Sequence, residues 1–97
     1  MYVIVRTENA GCFAGTTTDN LADSLDPYNR IVLGDARRLW YWAGAASLSQ
    51  LAAVGSSRPD ACKFAAPVTV LLTEVIEVIE MTDVAWKALE QVPVWTA

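Results

Sequence analysis

Ninety-seven residues carry a net charge of −4 and contain no histidine. This balance excludes generic binding to a nucleic-acid backbone, which needs a basic surplus to displace counterions. It also excludes Ser-His and Cys-His nucleophiles and removes the commonest general base. With 54% hydrophobic and 19% charged residues, the chain is too apolar for disorder and apolar enough to predict a buried homo-oligomer interface.

The chain reads as a single domain over residues 1–97, long enough for one core. Tyr2 to Thr7 is rich in β-branched residues and predicts a strand. Glu8-Asn9-Ala10-Gly11 supplies a turn, and Cys12 to Thr16 returns as a second strand, so the first element is a hairpin. Thr17 to Asn29 is the most polar stretch and reads as a long loop. Its alternative is a short helical turn, because Leu21 and Leu25 stand at an i, i+4 spacing. Asp19, Asp23 and Asp26 are spaced by four and three, whereas a calcium loop needs carboxylates at alternate positions and a closing Glu, so no metal site is expected there.

Arg30 to Leu33 predicts a third strand, followed by a bend or bulge at Gly34-Asp35. From Arg37 to Trp42 the side chains are large, and alternation puts Arg38, Trp40 and Trp42 on one side and Arg37, Leu39 and Tyr41 on the other. Ala43 to Ala46 is a small-residue bend. Ser47 followed by Gln50 has the spacing of a capping box, Leu48, Leu51 and Ala52 recur at helical intervals, and Gly55 offers a left-handed end, which predicts a helix over 48–54. Ser56 to Asp60 is a loop, and Cys62 to Phe64 a short edge strand.

Val68 to Met81 is ambiguous. Glu74, Glu77 and Glu80 recur as on the wet face of a helix, but the β-branched residues between Thr73 and Ile79 favour a long strand, bent near Thr73. Thr82-Asp83 then caps an amphipathic helix over 83–91, stopped by Pro93, and Trp95 docks either on the chain's own core or on a neighbouring subunit. The fold class is therefore α+β: a small, mostly antiparallel sheet of about four to five strands with two short helices.

Cys12 and Cys62 read as small hydrophobes in a reducing compartment; a zinc site needs about four ligands, and two cysteines do not supply them. Met1 leads directly into strand residues without a basic leader, and no apolar run approaches the roughly 20 residues that span a bilayer. A soluble intracellular protein is expected. Phosphate-binding glycine loops are absent, so no cofactor and no catalytic residue is predicted.

Binding chemistry concentrates in one place. Arg37 and Arg38 bring guanidinium forks that match phosphate, Trp40 and Trp42 bring flat faces for a base, and Ser47 opens a helix whose free N–H groups suit an anion. These five residues form the predicted ligand site, for a small nucleotide or phosphorylated ligand. In the structural alternative the tryptophans are core or interface and the arginines pair with Asp35 and Glu74.

The strings A-R-R-L-W-Y-W-A-G-A-A-S-L-S-Q-L-A and L-L-T-E-V-I-E-V-I-E-M-T, with the opening Y-V-I-V-R-T and the closing V-P-V-W, resemble a family of small uncharacterised proteins of tailed bacteriophages and prophages. The resemblance implies a host-cytoplasmic setting and supplies no catalytic residues; proteins of that kind often blunt host defences. The expectation that follows is a non-enzymatic, oligomeric phage accessory protein that sequesters a small nucleotide. Its alternatives are an acidic interaction module, using Asp19 to Asp26 and Glu74 to Glu80 against a host defence protein, and a minor virion or assembly component.

Overall fold

The computed structural model describes residues 1–96. Tyr2–Thr7 (β1) and Cys12–Thr16 (β2) form the expected antiparallel hairpin, which turns through Gly11 at φ +88°. Successive side chains of a strand point to opposite faces, yet Val3, Ile4 and Val5 are all fully buried. Both faces of this sheet are therefore covered.

The two predicted stretches on either side of Gly34-Asp35 are one strand, Ile31–Tyr41 (β3), which pairs antiparallel with β2. The expected bulge sits inside it: Asp35 has φ +46° and the pairing register shifts between Leu33 and Ala36. The extra residue lets Leu33 and Ala36 enter the same core cluster and sends Arg37 and Leu39 to the other face. Gly15 is required opposite the bulge, since a Cβ there would lie 2.9 Å from the Gly34 carbonyl oxygen.

Lys63–Phe64 (β4) and Val68–Leu72 (β5) run antiparallel to β3 along its free edge, from Tyr41↔Lys63 to Ile31↔Leu72. The chain then bends at Thr73-Glu74, where Glu74 takes φ +54°, and Val75–Glu80 (β6) pairs with β1. The long strand expected from Val68 onward is thus present with its bend, divided into β5 and β6. With β4 counted, the sheet has six strands rather than four or five. Because residues 63–80 pair first with β3 and then with β1, they join the two edges of the β1–β2–β3 meander and curl it on itself.

Curling creates two cores. Inside lie Val3, Val5, Phe13, Leu33, Leu72 and Val75. On the outer face Ile4, Ala14, Leu39 and Phe64 are covered by Leu48–Val54 (α1) and Asp83–Glu90 (α2). Both helices start as their capping residues predict. Ser47 Oγ accepts from the Gln50 N–H at 3.1 Å, Gln50 Oε1 accepts from the Ala46 N–H, and Thr82 Oγ1 accepts from the Ala85 N–H at 3.0 Å. Gly55 ends α1 at φ +77°, ψ −167°, an extended conformation open essentially only to glycine rather than the expected left-handed turn. A Cβ there would also lie 2.5 Å from Ala88 Cβ, so glycine sets how closely the helices approach.

Trp86 is buried and stacks on Tyr2, with ring centroids 4.5 Å apart. The tail docks on its own chain: Val94 bridges Phe64 and the Trp95 N–H donates to the Phe64 carbonyl at 2.9 Å. No helix of the described residues is long and apolar enough to cross a membrane.

One buried charge ties these parts together. Arg37 is 5% exposed and points under the kink between β4 and β5. Its Nε donates to the Ala65 carbonyl at 2.8 Å, Nη1 to Leu89 at 3.0 Å and Val92 at 2.9 Å, and Nη2 to Phe64 at 3.2 Å and Pro93 at 3.3 Å. All five donors of the guanidinium meet backbone carbonyls. Burial lowers its pKa, while the negative end of the α2 dipole favours the charge. Arg37→Met should destabilise the fold by about 3–5 kcal/mol, because the carbonyls lose their donors in a buried site; a urea midpoint equal to that of the wild type would refute this assignment.

Candidate functional site

Of the five residues expected to hold a ligand, the structure brings Arg38 and Trp40 together and sends the other three elsewhere. Arg37 faces the outer core with every donor occupied, so it has none left for a phosphate. Ser47 is committed to the start of α1. Trp42 packs half-buried against the outer core.

The separation of Trp42 from Trp40 corrects the simple alternation and has a local cause. Leu39 pairs with Phe64 and Tyr41 with Lys63, so two steps on β3 face one step on β4. Trp40 is the additional residue of a bulge, which turns both Trp40 and Tyr41 to solvent and returns Trp42 to the core. Trp40 is 59% and Tyr41 53% exposed.

The arginines do not pair with Asp35 or Glu74. The Arg38 guanidinium lies 4.4 Å from the centroid of Phe13 and 5.3 Å from that of Trp40, a geometry in which ring quadrupoles attract the cation. Its Nη1 donates to the Ala10 carbonyl at 2.7 Å, which fixes the side chain across the end of the β1–β2 hairpin. Glu74 instead accepts from Asn9 Nδ2 at 2.7 Å. Arg6 pairs with Glu77 at 3.1 Å on the surface.

Two residues that sequence spacing did not single out extend the pair. Lys63, opposite Tyr41, places its ammonium 5.5 Å from the ring of Trp95, which is 42% exposed. Arg38, Trp40, Tyr41, Lys63 and Trp95 thus follow one another along β3, β4 and the tail as a strip of flat rings and two cations. No residue pattern joins Lys63 to Trp95; only the docking of the tail does.

The strip is open rather than enclosed. Two concavities of about 580 Å³ each lie away from it. One is a groove beneath the 17–30 loop, walled by Asp19, Asp23 and Asp26 with Val32 and Leu71 on its floor. The other is a crevice beside the end of α2, between Tyr2, Trp86, Asp35 and Glu90. In the groove Asp26 accepts from the N–H groups of Tyr28 and Arg30, each at 2.9 Å, and from Arg30 Nε at 2.7 Å. Desolvation raises its pKa, but the hydrogen bonds from Arg30 and Tyr28 and the Arg30 charge outweigh it and hold the carboxyl below its ordinary value. The stretch is the long loop expected from its polarity, and the alternative, a short helical turn, is present within it as a single 3-10 turn at Leu21–Asp23.

A folded-state pKa below the unfolded one stabilises above the unfolded value and loses that contribution as pH falls through the folded one. Wild type and Asp26→Asn, compared by chemical denaturation, should therefore differ at neutral pH and converge as the pH falls through and below the ordinary carboxylate range. A difference that stays constant with pH would contradict the ion pair.

A protein-family model described as a domain of unknown function (DUF6948) matches residues 1–89. No curated protein and no solved structure matches the chain. The matched residues include Arg38, Trp40, Tyr41 and Lys63, while Trp95 lies beyond them.

Proposed function

The chain belongs to that family, and from this premise we propose that it is a non-enzymatic binding protein that captures a small nucleotide or phosphorylated ligand on the strip Arg38–Trp40–Tyr41–Lys63–Trp95. The observation that carries the reading is the pairing of solvent-facing rings with cations: Trp40 beside Arg38 and Trp95 beside Lys63. A base stacks on an exposed ring whatever its identity, and a guanidinium fork receives phosphate oxygens. On a chain whose net charge is −4, two cations beside aromatic rings give a local attraction for one phosphorylated molecule rather than for a polyanion.

The biological setting rests on the resemblance to small phage and prophage proteins. In that setting the protein acts in the host cytoplasm as an accessory factor that removes a nucleotide used by a host defence.

Titration calorimetry with nucleoside mono-, di- and triphosphates, preceded by native mass spectrometry against the pooled set, tests the reading. Wild type retains at least one nucleotide, and Trp40→Ala weakens it by roughly 5- to 150-fold, since stacking on one ring is worth about 1–3 kcal/mol. Arg38→Ala abolishes binding with the urea midpoint little changed. Absence of any retained nucleotide at millimolar concentration, or full binding by both variants, overturns the proposal.

A further inference from the structure

The chain manages its sheet edges unequally. The outer edge of β4 is covered by the tail through the Phe64–Val94 bridge and the Trp95 N–H. Of the three exposed positions of strand β6, Ile76, Glu77 and Glu80, two are charged, and such charges discourage pairing with another strand.

Strand β5 has neither protection. It pairs with β3 on one side, and among the described residues no backbone hydrogen bond reaches it from any other strand, turn or tail. From Phe64 to Thr73 the sequence F-A-A-P-V-T-V-L-L-T holds no charged residue. Pro67 and the kink stand before the strand, so the five residues Val68–Leu72 form an uninterrupted edge. On its outer face Leu71, 58% exposed, lies directly opposite Val32, also 58% exposed, while on the inner face Val68, at the open end of the strand, is 54% exposed. An uncharged β-branched edge with apolar neighbours is a template for another strand.

We propose that β5 is the interface of a two-fold homodimer, in which it pairs antiparallel with β5 of a second copy about an axis through Val70. The partner is identified by self-complementarity. Pairing about Val70 sets Val68 opposite Leu72 and Thr69 opposite Leu71, so no two charges meet although each chain carries −4. The two sheets become continuous, and Leu71 and Val32 of both copies share one surface, as a closed isologous contact requires. This interface is separate from the strip proposed to bind ligand, so either can fail without the other.

Sedimentation equilibrium across a wide concentration range provides the test. The wild type has twice the 10.5 kDa chain mass. Thr69→Lys/Leu71→Lys sets lysine against lysine across the axis and returns the mass to that of one chain, with the near-UV circular dichroism of the fold retained. Thr69→Glu/Leu71→Glu does the same, and an equimolar mixture of the two variants recovers the dimer, which a merely unfolded variant cannot do. A wild type that is monomeric at all concentrations, a dimer that survives the lysines, or a mixture that stays monomeric overturns the proposal.

Discussion

A single guanidinium joins the parts that the sheet alone would leave apart. Arg37 gathers carbonyls from the kink of residues 64–65, from the last turn of α2 and from the start of the tail. Among the described residues the carbonyls of Ala65, Val92 and Pro93 accept from no backbone N–H, while those of Phe64 and Leu89 also accept from Trp95 and Val92; the kink interrupts a ladder, and a helix end leaves its last carbonyls open. Burying a cation normally needs a carboxylate. Here the negative ends of backbone dipoles substitute for it, and no buried polar side-chain atom among the described residues lacks a partner. The tail stays on β4, and Trp95 stays beside Lys63, because the backbone preceding it is held at Val92 and Pro93.

The same interaction shows why adjacent arginines have different uses. Arg37 and Arg38 are neighbours on β3 and therefore point to opposite faces. The face toward the helices turns one into an internal tie. The other face, beyond the end of β5, leaves Arg38 between Phe13 and Trp40. The Asp35 bulge decides which is which, since it sets the parity of everything after Ala36.

What could be read from the sequence was local. The pair Ser47 and Gln50, the cap at Thr82, the hairpin turn ending at Gly11 and the bend after Leu72 each involve residues a few positions apart, with side chains that name their roles. The Gly34-Asp35 irregularity was also legible, because that pair interrupts a β-branched run. The fate of Arg37 was not: its partners are carbonyls, which every residue has, so no side chain announces them. The outward turn of Tyr41 was hidden for a related reason, as a bulge at Trp40 depends on the register of β4 and not on the alternation of β3. Lys63 and Trp95 lie too far apart in the chain for spacing to connect them.

The position of β1 has a consequence for how the molecule is made. β1 lies between β2, which follows it almost at once, and β6, which begins at Val75. During synthesis the hairpin is available early, but one side of β1 stays unpaired until most of the chain has left the ribosome. Arg37 likewise waits for residues 89 to 93. Closure by such distant segments is intrinsically slow, because chain entropy is lost before the contacts form. A chain that stops short of residues 75 to 80 therefore exposes β1, the most apolar of the early strands, because β6 is what pairs with its open side.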